Sequence, residues 1–212
     1  MNVRALAILL ALTACESASP RQLDLDRVRV TSDARLRTDT VGGEEFAETA
    51  TFVLVDAENT ATDGAYITLA GELSDGEDHV VGELKAQSLW IPGGETRTFA
   101  LVDHERKPRP NAKAARIKVR SATIPDHPPP ARVDHIREIE DNGKLVVQGK
   151  LHNEAARPGD IMVIASFHGP DGRPTTRPFS IVRVPANTDQ DVQFVSTPGA
   201  KHGTIYVGDM TY

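Results

Sequence analysis

The chain alternates apolar and polar residues in short runs that are separated by turn residues. Residues 66–73 (YITLAGEL) and 161–167 (IMVIASF) are two such runs, and each is followed by an Asp-Gly pair, at 75–76 and 171–172. Alternation with a period of two is typical of half-buried strands, and Asp-Gly between two runs is typical of a hairpin. No window shows a long amphipathic helix. The pattern predicts an all-β fold, and its frequent turns favour β-sandwiches.

The same order of strand-like runs occurs twice. Residues 51–59 and 145–153 are apolar runs that end in Asn, and they begin 94 residues apart (51 to 145). In both halves an aliphatic-Pro turn then precedes an alternating strand, at residues 90–99 and 183–194. We therefore expect two tandem Ig-like β-sandwich domains, each of about 80–100 residues.

Four prolines between residues 125 and 130 separate the two halves. Such a stretch favours an extended, stiff conformation that does not pair in a sheet. The runs at 23–30 and 133–139 are expected to be leading strands, although 133–139 also fits a helical spacing. The predicted organisation is a first sandwich at 23–124, a linker at 125–132 and a second sandwich at 133–212.

Residues 1–14 have the layout of a secretory signal peptide. Arg4 gives a positive start, and residues 5–12 (ALAILLAL) form an apolar run. This run is too short to cross a bilayer, which needs about 20 apolar residues. Cys15, the only cysteine of the chain, follows closely, and a single thiol cannot form an internal disulfide.

Residues 12–15 (LTAC) resemble the lipobox of bacterial lipoproteins. The resemblance implies diacylglyceryl attachment to the Cys15 sulfur and cleavage between Ala14 and Cys15. Residues 16–22 are polar without periodicity, so 15–22 is expected to be the lipidated N-terminus and a tether. Two or more acyl chains anchor a protein stably, whereas one holds only marginally. Residue 16 is Glu and not the Asp that retains many enteric lipoproteins in the inner membrane, which favours an outer-membrane location facing the periplasm.

The second half resembles the FxLYD type of bacterial envelope domain. The matching segments are 147–153 (VQGKLHN), 166–172 (SFHGPDG), 184–187 (VPAN) and 192–194 (VQF). His168 stands where Tyr is usual, and Ala186-Asn187 replaces the Gly after Pro185. The resemblance implies an extracytoplasmic Ig-like sandwich with no known chemistry of its own.

Composition and motifs predict no chemistry. The net charge is −6 without a sustained basic patch, so a nucleic-acid partner is not expected. The seven histidines form neither His-x-His nor His-x-x-x-His, and Gly-x-Ser-x-Gly and Ser-x-x-Lys are absent. His152 and His168 are expected to be separate, half-exposed strand ends, although they could approach one another. We therefore predict no catalytic, cofactor-binding or metal residues, and an acidic segment at 75–78 lacks the spacing of a calcium loop.

Two further features have competing interpretations. The basic segment 105–113 is expected to be a solvated loop, the alternative being contact with acidic lipid or polysaccharide. Trp90 is expected in the core or at a sheet edge, the alternative being an exposed binding anchor.

The sequence thus predicts a non-enzymatic, lipid-anchored protein of the bacterial cell envelope that binds or scaffolds a protein or glycan partner. The alternatives are an accessory subunit of an envelope transport or secretion machine, and a metal carrier or hydrolase whose site is dispersed along the chain. No cofactor is predicted, and the sequence predicts no oligomeric state.

Overall fold

The computed structural model describes residues 20–41 and 47–211. The predicted signal peptide and the lipobox with Ala14 and Cys15 lie outside the described residues. The strands are β1 (Arg21–Gln22), β2 (Val28–Val30), β3 (Arg35–Val41), β4 (Glu48–Asn59), β5 (Ala65–Ser74), β6 (Val80–Ile91), β7 (Thr96–Val102), β8 (Ala114–Ile124), β9 (Ala131–Asp141), β10 (Lys144–Asn153), β11 (Gly159–His168), β12 (Pro174–Thr176), β13 (Phe179–Val184), β14 (Thr188–Val195) and β15 (His202–Thr211).

The predicted all-β sandwich fold is confirmed. In the first sandwich one sheet has the order β1-β8-β5-β6. In the other sheet β4 is central, with β7 along one side and β2 and β3 in succession along the other. Buried side chains from the two sheets, including Val53, Phe99, Ile67 and Leu69, form one apolar cluster between them. Their burial removes apolar surface from water and is the main stabilising contribution to the sandwich.

The second sandwich repeats this plan. One sheet has the order β14-β10-β9. In the other, β11 is central, with β15 on one side and β12 and β13 in succession on the other. Its cluster includes Val147 and Leu151 from one sheet and Val163, Phe167 and Ile205 from the other. The pairing of β3, β4 and β7 therefore recurs in β9, β10 and β14, as the repeated sequence pattern predicts.

The Asn that ends β4 and β10 holds the same turn in both sandwiches. The side-chain amide of Asn59 donates to two backbone carbonyls 2.8 and 3.0 Å away, one of them that of Ile91. The amide of Asn153 donates to three, at 3.1–3.2 Å, including that of Val184. Both amides are buried, so each satisfies carbonyl groups that water cannot reach.

The turns that follow Ile91 and Val184 each contain one residue in the left-handed backbone conformation. Gly94 has φ of +76° in the first sandwich, and Asn187 has φ of +52° in the second. Asn adopts this conformation more readily than other residues that carry a Cβ. Asn187 therefore takes in the second sandwich the left-handed position that Gly94 takes in the first.

The leading strand predicted at 23–30 is not continuous. Arg21 and Gln22, which were expected in the tether, form β1 and pair with β8. A 3₁₀ turn at Leu25–Arg27 then interrupts the chain before β2. The Asp24 carboxylate accepts a hydrogen bond from the backbone N–H of Asp26 (3.1 Å), which favours this turn over an extended strand. The strand predicted at 133–139 does form, within β9, and β3 is its unpredicted counterpart.

The 3₁₀ turn is the single helical element of the described residues. None of the described segments is a helix with the length and apolar character needed to cross a bilayer.

Candidate functional site

The two sandwiches pack directly against each other. Alternate residues of β11, such as Val163 and Phe167, face the core of the second sandwich. Ile164 and, on β15, Tyr206 lie on the opposite side and belong to the apolar cluster of the first sandwich, with 1% and 2% exposure. The part of this sheet around Ile164 and Tyr206 is therefore buried on both faces, so apolar packing joins the sandwiches in addition to the Pro-rich linker.

A polar group lies at the centre of this interface. Asp56 on β4 is buried, and its carboxylate accepts a hydrogen bond from the Thr98 hydroxyl (2.6 Å). Its second oxygen lies 3.1 Å from Nε2 of His168, at the end of β11. A buried carboxylate is tolerated only when such partners replace its hydration. Asp56 and His168 therefore help to define how the two sandwiches dock.

Thr98 also receives contacts from the second sandwich through its backbone. Its carbonyl oxygen accepts hydrogen bonds from the Tyr206 hydroxyl (2.7 Å) and from Arg177 Nε (2.6 Å). The guanidinium of Arg97 lies 4.9 Å from the centre of the Tyr206 ring, a cation–π distance. Hydrogen bonds and a cation–π contact therefore connect β7 of the first sandwich to the second sandwich.

A groove opens where the two sheets diverge beside this interface. Its volume is about 1060 Å³, slightly above the upper end of the range for small-ligand clefts. The first sandwich contributes side chains from β3, β4, β6 and β7, and the second contributes them from β11, β13, β14 and the β12–β13 connection. The groove therefore exists only because both sandwiches are present.

The wall from the second sandwich is apolar and exposed. Phe179 and Ile181 on β13 and Val195 on β14 are 49%, 63% and 50% exposed. Phe179 and Ile181 are two residues apart on one strand, so their side chains share a face. Large apolar side chains grouped on a surface mark interaction sites more often than isolated ones do.

Two sheet edges border the groove. Among the described strands, β3 pairs only with β4, and β13 pairs only with β11. The outer sides of β3 and β13 therefore present backbone N–H and C=O groups that can pair with an added strand.

Arg177 brings an unsatisfied donor to the same place. Its Nε is bonded to Thr98 and Tyr206, but its Nη2 is buried without a hydrogen-bond acceptor among the described residues. Buried guanidinium N–H groups in native proteins nearly always have an acceptor. Nη2 of Arg177 is therefore an unsatisfied donor that lies beneath the groove surface, closed to solvent.

His152 and His168 are separate, partly buried residues near the ends of β10 and β11, as expected. His152 and His168 do not approach each other, because His168 contacts Asp56 in the interface while His152 lies on the outer face of β10. His152 instead joins Asp134 and His135 of β9, and one ligand atom from each of the three lies within 4.8 Å of the others. The sequence analysis missed this group because its members come from two strands and form no local motif.

Hydrogen bonds shift the pKa values within this group. The His152 imidazole lies between Asp134 (Nε2 to Oδ1, 2.8 Å) and Asp189 (Nδ1 to Oδ1, 2.5 Å). The bond to Asp134, with a smaller contribution from Asp189, raises the pKa of His152. The same bond to His152, assisted by Arg132 and His135, lowers the pKa of Asp134 to about 2. A positive charge between the carboxylates of Asp134 and Asp189 is therefore favoured. When no other cation is bound, this charge is that of protonated His152.

The segment at 105–113 forms a loop between β7 and β8, as expected. The Arg109 guanidinium donates to the fully buried carboxylate of Asp103 through Nε (2.8 Å) and Nη2 (3.1 Å). The guanidinium also lies 3.0 Å from Glu105, and its hydrogen bond to the Asp103 carboxylate raises the pKa of Arg109. The charge of Arg109 is thus neutralised inside the protein, which disfavours a role for it in binding acidic lipid.

Trp90 is half-buried on the outer face of β6. Its ring centre lies 5.5 Å from that of Tyr66 on the neighbouring strand, with the planes tilted by 59°. The ring also covers Gly64, where a Cβ would come within 2.3 Å of it. Trp90 therefore packs against its own sheet, in agreement with the expected edge position.

Asp75 in the acidic segment has a structural role. Its carboxylate accepts hydrogen bonds from the backbone N–H of Glu77 (2.8 Å) and of His79 (3.0 Å), which closes the β5–β6 hairpin. The bond from Glu77, followed by those from His79, lowers the pKa of Asp75.

Comparisons with protein-family models and with curated proteins gave no match. Among solved structures, the chain is similar to a beta-glucuronidase from glycoside hydrolase family 2, with a TM-score of 0.28 and 9% sequence identity. The similarity covers 78% of this chain and 21% of the other, so the chain spans only a minor part of that protein. A similarity this low carries no functional argument.

Proposed function

We propose that this protein is a lipid-anchored component of the bacterial cell envelope that binds a partner protein without catalysis. Cys15 carries the lipid anchor, and the groove between the sandwiches receives an extended segment of the partner. The observation that carries the binding proposal is the apolar groove wall formed by Phe179, Ile181 and Val195 beside two open strand edges.

The groove suits a peptide better than it suits a glycan. An extended segment can add to the free edge of β3 or β13 through main-chain hydrogen bonds and place alternate side chains on the apolar wall. Polar side chains such as Gln87 also line the groove, and its exposed wall of Phe179, Ile181 and Val195 gives the apolar side chains of a peptide a surface on which to pack.

The interface supports binding more than turnover. The buried polar groups nearest the groove, Asp56 and Thr98, are already hydrogen-bonded to one another and to the second sandwich. Most glycoside hydrolases need two carboxyl groups that face each other across a cleft. Asp39 is the single carboxylate that lines the groove in the described residues.

The anchor is tested by substituting Cys15 with Ser. The variant is expected to leave the membrane fraction, to lose incorporation of labelled fatty acid and to retain its signal peptide. If Cys15→Ser is anchored and processed like the wild-type protein, the proposed lipidation is wrong.

The groove is tested by introducing a photo-crosslinking amino acid at position 181, on the groove wall, or at position 80. Val80 is the matched control, because it is 54% exposed but lies on the β5–β6 hairpin away from the groove. In intact envelopes we expect one discrete protein adduct from position 181 and none of that size from position 80. The adduct should disappear when Phe179→Asp is added in the same chain. Identical adducts from both positions, or an adduct that Phe179→Asp leaves unchanged, would overturn the groove proposal.

A further inference from the structure

We propose that Asp134, His135 and His152 form a binding site for a divalent transition-metal ion such as Zn²⁺ on the outer face of the second sandwich. Their ligand atoms, Asp134 Oδ1, His135 Nδ1 and His152 Nε2, lie within 4.8 Å of one another. The site is separate from the groove and does not depend on the proposed partner.

A β-bulge brings the three residues together. Neighbouring residues of a regular strand point to opposite faces, so Asp134 and His135 should not meet. The β9–β10 register shifts here: Lys150 pairs with Asp134 and Gln148 pairs with Arg137, which leaves two residues of β9 opposite Gly149 alone. The extra residue re-aims His135, whose Nδ1 lies 2.5 Å from Asp134 Oδ1.

The bulge places His135 in an unfavourable backbone conformation. His135 has φ of +49°, in the left-handed region that this kind of bulge normally fills with Gly. Opposite it, Gly149 leaves no room for a side chain, because a Cβ there would lie 2.6 Å from Val133 Cγ1. A residue held in a sparsely populated conformation on an exposed face points to a function for its side chain.

The surrounding residues orient the ligands as they do around protein-bound zinc. His152 directs Nε2 towards the site while its Nδ1 contacts the Asp189 carboxylate at 2.5 Å, the carboxylate–histidine–metal arrangement. The guanidinium of Arg132 contacts the other oxygen of Asp134 and lies 2.9 Å from Glu154. Oδ1 of Asp134 is thereby left for the metal, and its direction is fixed.

The donor set selects the class of metal. Two imidazole nitrogens and one carboxylate oxygen suit Zn²⁺ and its neighbours, whereas Ca²⁺ and Mg²⁺ require oxygen ligands. Around tetrahedral zinc, with bonds of about 2.0–2.1 Å, neighbouring ligand atoms lie about 3.3 Å apart. The two hydrogen-bonded distances to Asp134, 2.5 and 2.8 Å, must each lengthen by less than about 1 Å when the ion replaces the shared proton. The side chain of His135 is 77% exposed, so an ion can enter from solvent.

The test is a calorimetric titration of the chain with ZnCl₂, with MgCl₂ as a second titrant. All proteins carry Cys15→Ser, so that no free thiol competes for the metal. His135→Gly is the main variant, because Gly suits the left-handed position and should leave the thermal midpoint equal or higher. His127→Ala is the matched control, since His127 is an exposed histidine in the linker.

We expect one Zn²⁺ site per chain, no heat from Mg²⁺, at least tenfold weaker Zn²⁺ binding in His135→Gly and unchanged binding in His127→Ala. Co²⁺ should give visible d–d absorption in the parent chain that is lost in His135→Gly. The proposal is overturned if no stoichiometric site is found, if His135→Gly binds as the parent does, or if His127→Ala loses the site equally.

Discussion

Nε2 of His168 lies 3.1 Å from Oδ2 of Asp56, and this contact joins the second sandwich to the buried centre of the first. The other oxygen of Asp56 is held by Thr98, so the carboxylate has partners on both sides of the interface. Asp56 therefore has a structural role, because its side chain helps to hold the two sandwiches together.

Removal of this carboxylate should destabilise the protein. Asp56→Ala leaves the Thr98 hydroxyl and the His168 ring without their acceptor, and we expect a loss of about 1–3 kcal/mol in the free energy of unfolding. Glu58→Ala, two residues further along β4, is the matched control, because its exposed ion pair with Arg29 should contribute at most about 1 kcal/mol. Urea unfolding measures both, and equal losses in the two variants would contradict the role given to Asp56.

The strand-ending asparagines should not tolerate aspartate. Asn59→Asp and Asn153→Asp replace a donating amide by a carboxylate oxygen that faces backbone carbonyls. We expect each to lower the free energy of unfolding by about 1–3 kcal/mol. Asn142→Asp is the control, since Asn142 lies in the exposed β9–β10 turn and should change stability by less than about 0.5 kcal/mol. Thermal unfolding of the three variants tests this, and a stable Asn153→Asp protein would show that the amide is dispensable.

The thermal stability of the protein should depend on the ionisation of Asp75 in the β5–β6 hairpin. Because the N–H of Glu77 lowers the pKa of Asp75, its carboxylate stabilises the fold above the unfolded pKa of about 3.9. That contribution disappears as the pH falls through the lower pKa of the folded state. The difference in thermal midpoint between the wild type and Asp75→Asn should therefore be greatest near pH 6 and should shrink below pH 4. A difference that stays constant down to pH 2 would argue against an ionised Asp75 in this turn.

Two isoleucines in one pair of strands should differ strongly in their contribution to stability. Ile161 on β11 is fully buried, and Ile161→Ala should cost about 2–5 kcal/mol. Ile181 on β13 is 63% exposed, and Ile181→Ala should change stability by less than about 0.5 kcal/mol. Chemical unfolding compares them, and a large loss in Ile181→Ala would mean that this wall is covered in the free protein.

Local periodicity carries much of the information about this fold. The alternating runs at 66–73 and 161–167 become β5 and β11, because residues with one buried face need a period of two. β3 escaped prediction because five of its seven residues are polar or charged and it lies at a sheet edge with little burial. The strand expected at 23–30 is interrupted because the Asp24 carboxylate accepts a local hydrogen bond from the Asp26 N–H, which competes with extended backbone.

The groove and the histidine group depend on distances that no local pattern contains. The groove forms where two sandwiches dock, and the contact of Asp56 with His168 links residues 112 positions apart. The Asn142-Gly143 pair was an available signal for the β9–β10 hairpin, with φ of +49° and +74°. Folding the chain about that turn places His152 close to Asp134, but the bulge that also turns His135 towards them has no signal in the pattern.

Because of the bulge in β9, the number of residues in this strand determines which side chains meet on this surface. The identity of those residues is not sufficient. Deleting the codon for His135 would restore regular pairing opposite Gly149 and leave Asp134 and His152 in place without their third neighbour. No single point substitution shifts the register of a strand in this way. The insertion or deletion of one codon can therefore create or abolish the arrangement, as can a substitution of one of its three residues, and related chains are best compared first by the number of residues between Ala131 and the Asn142-Gly143 turn.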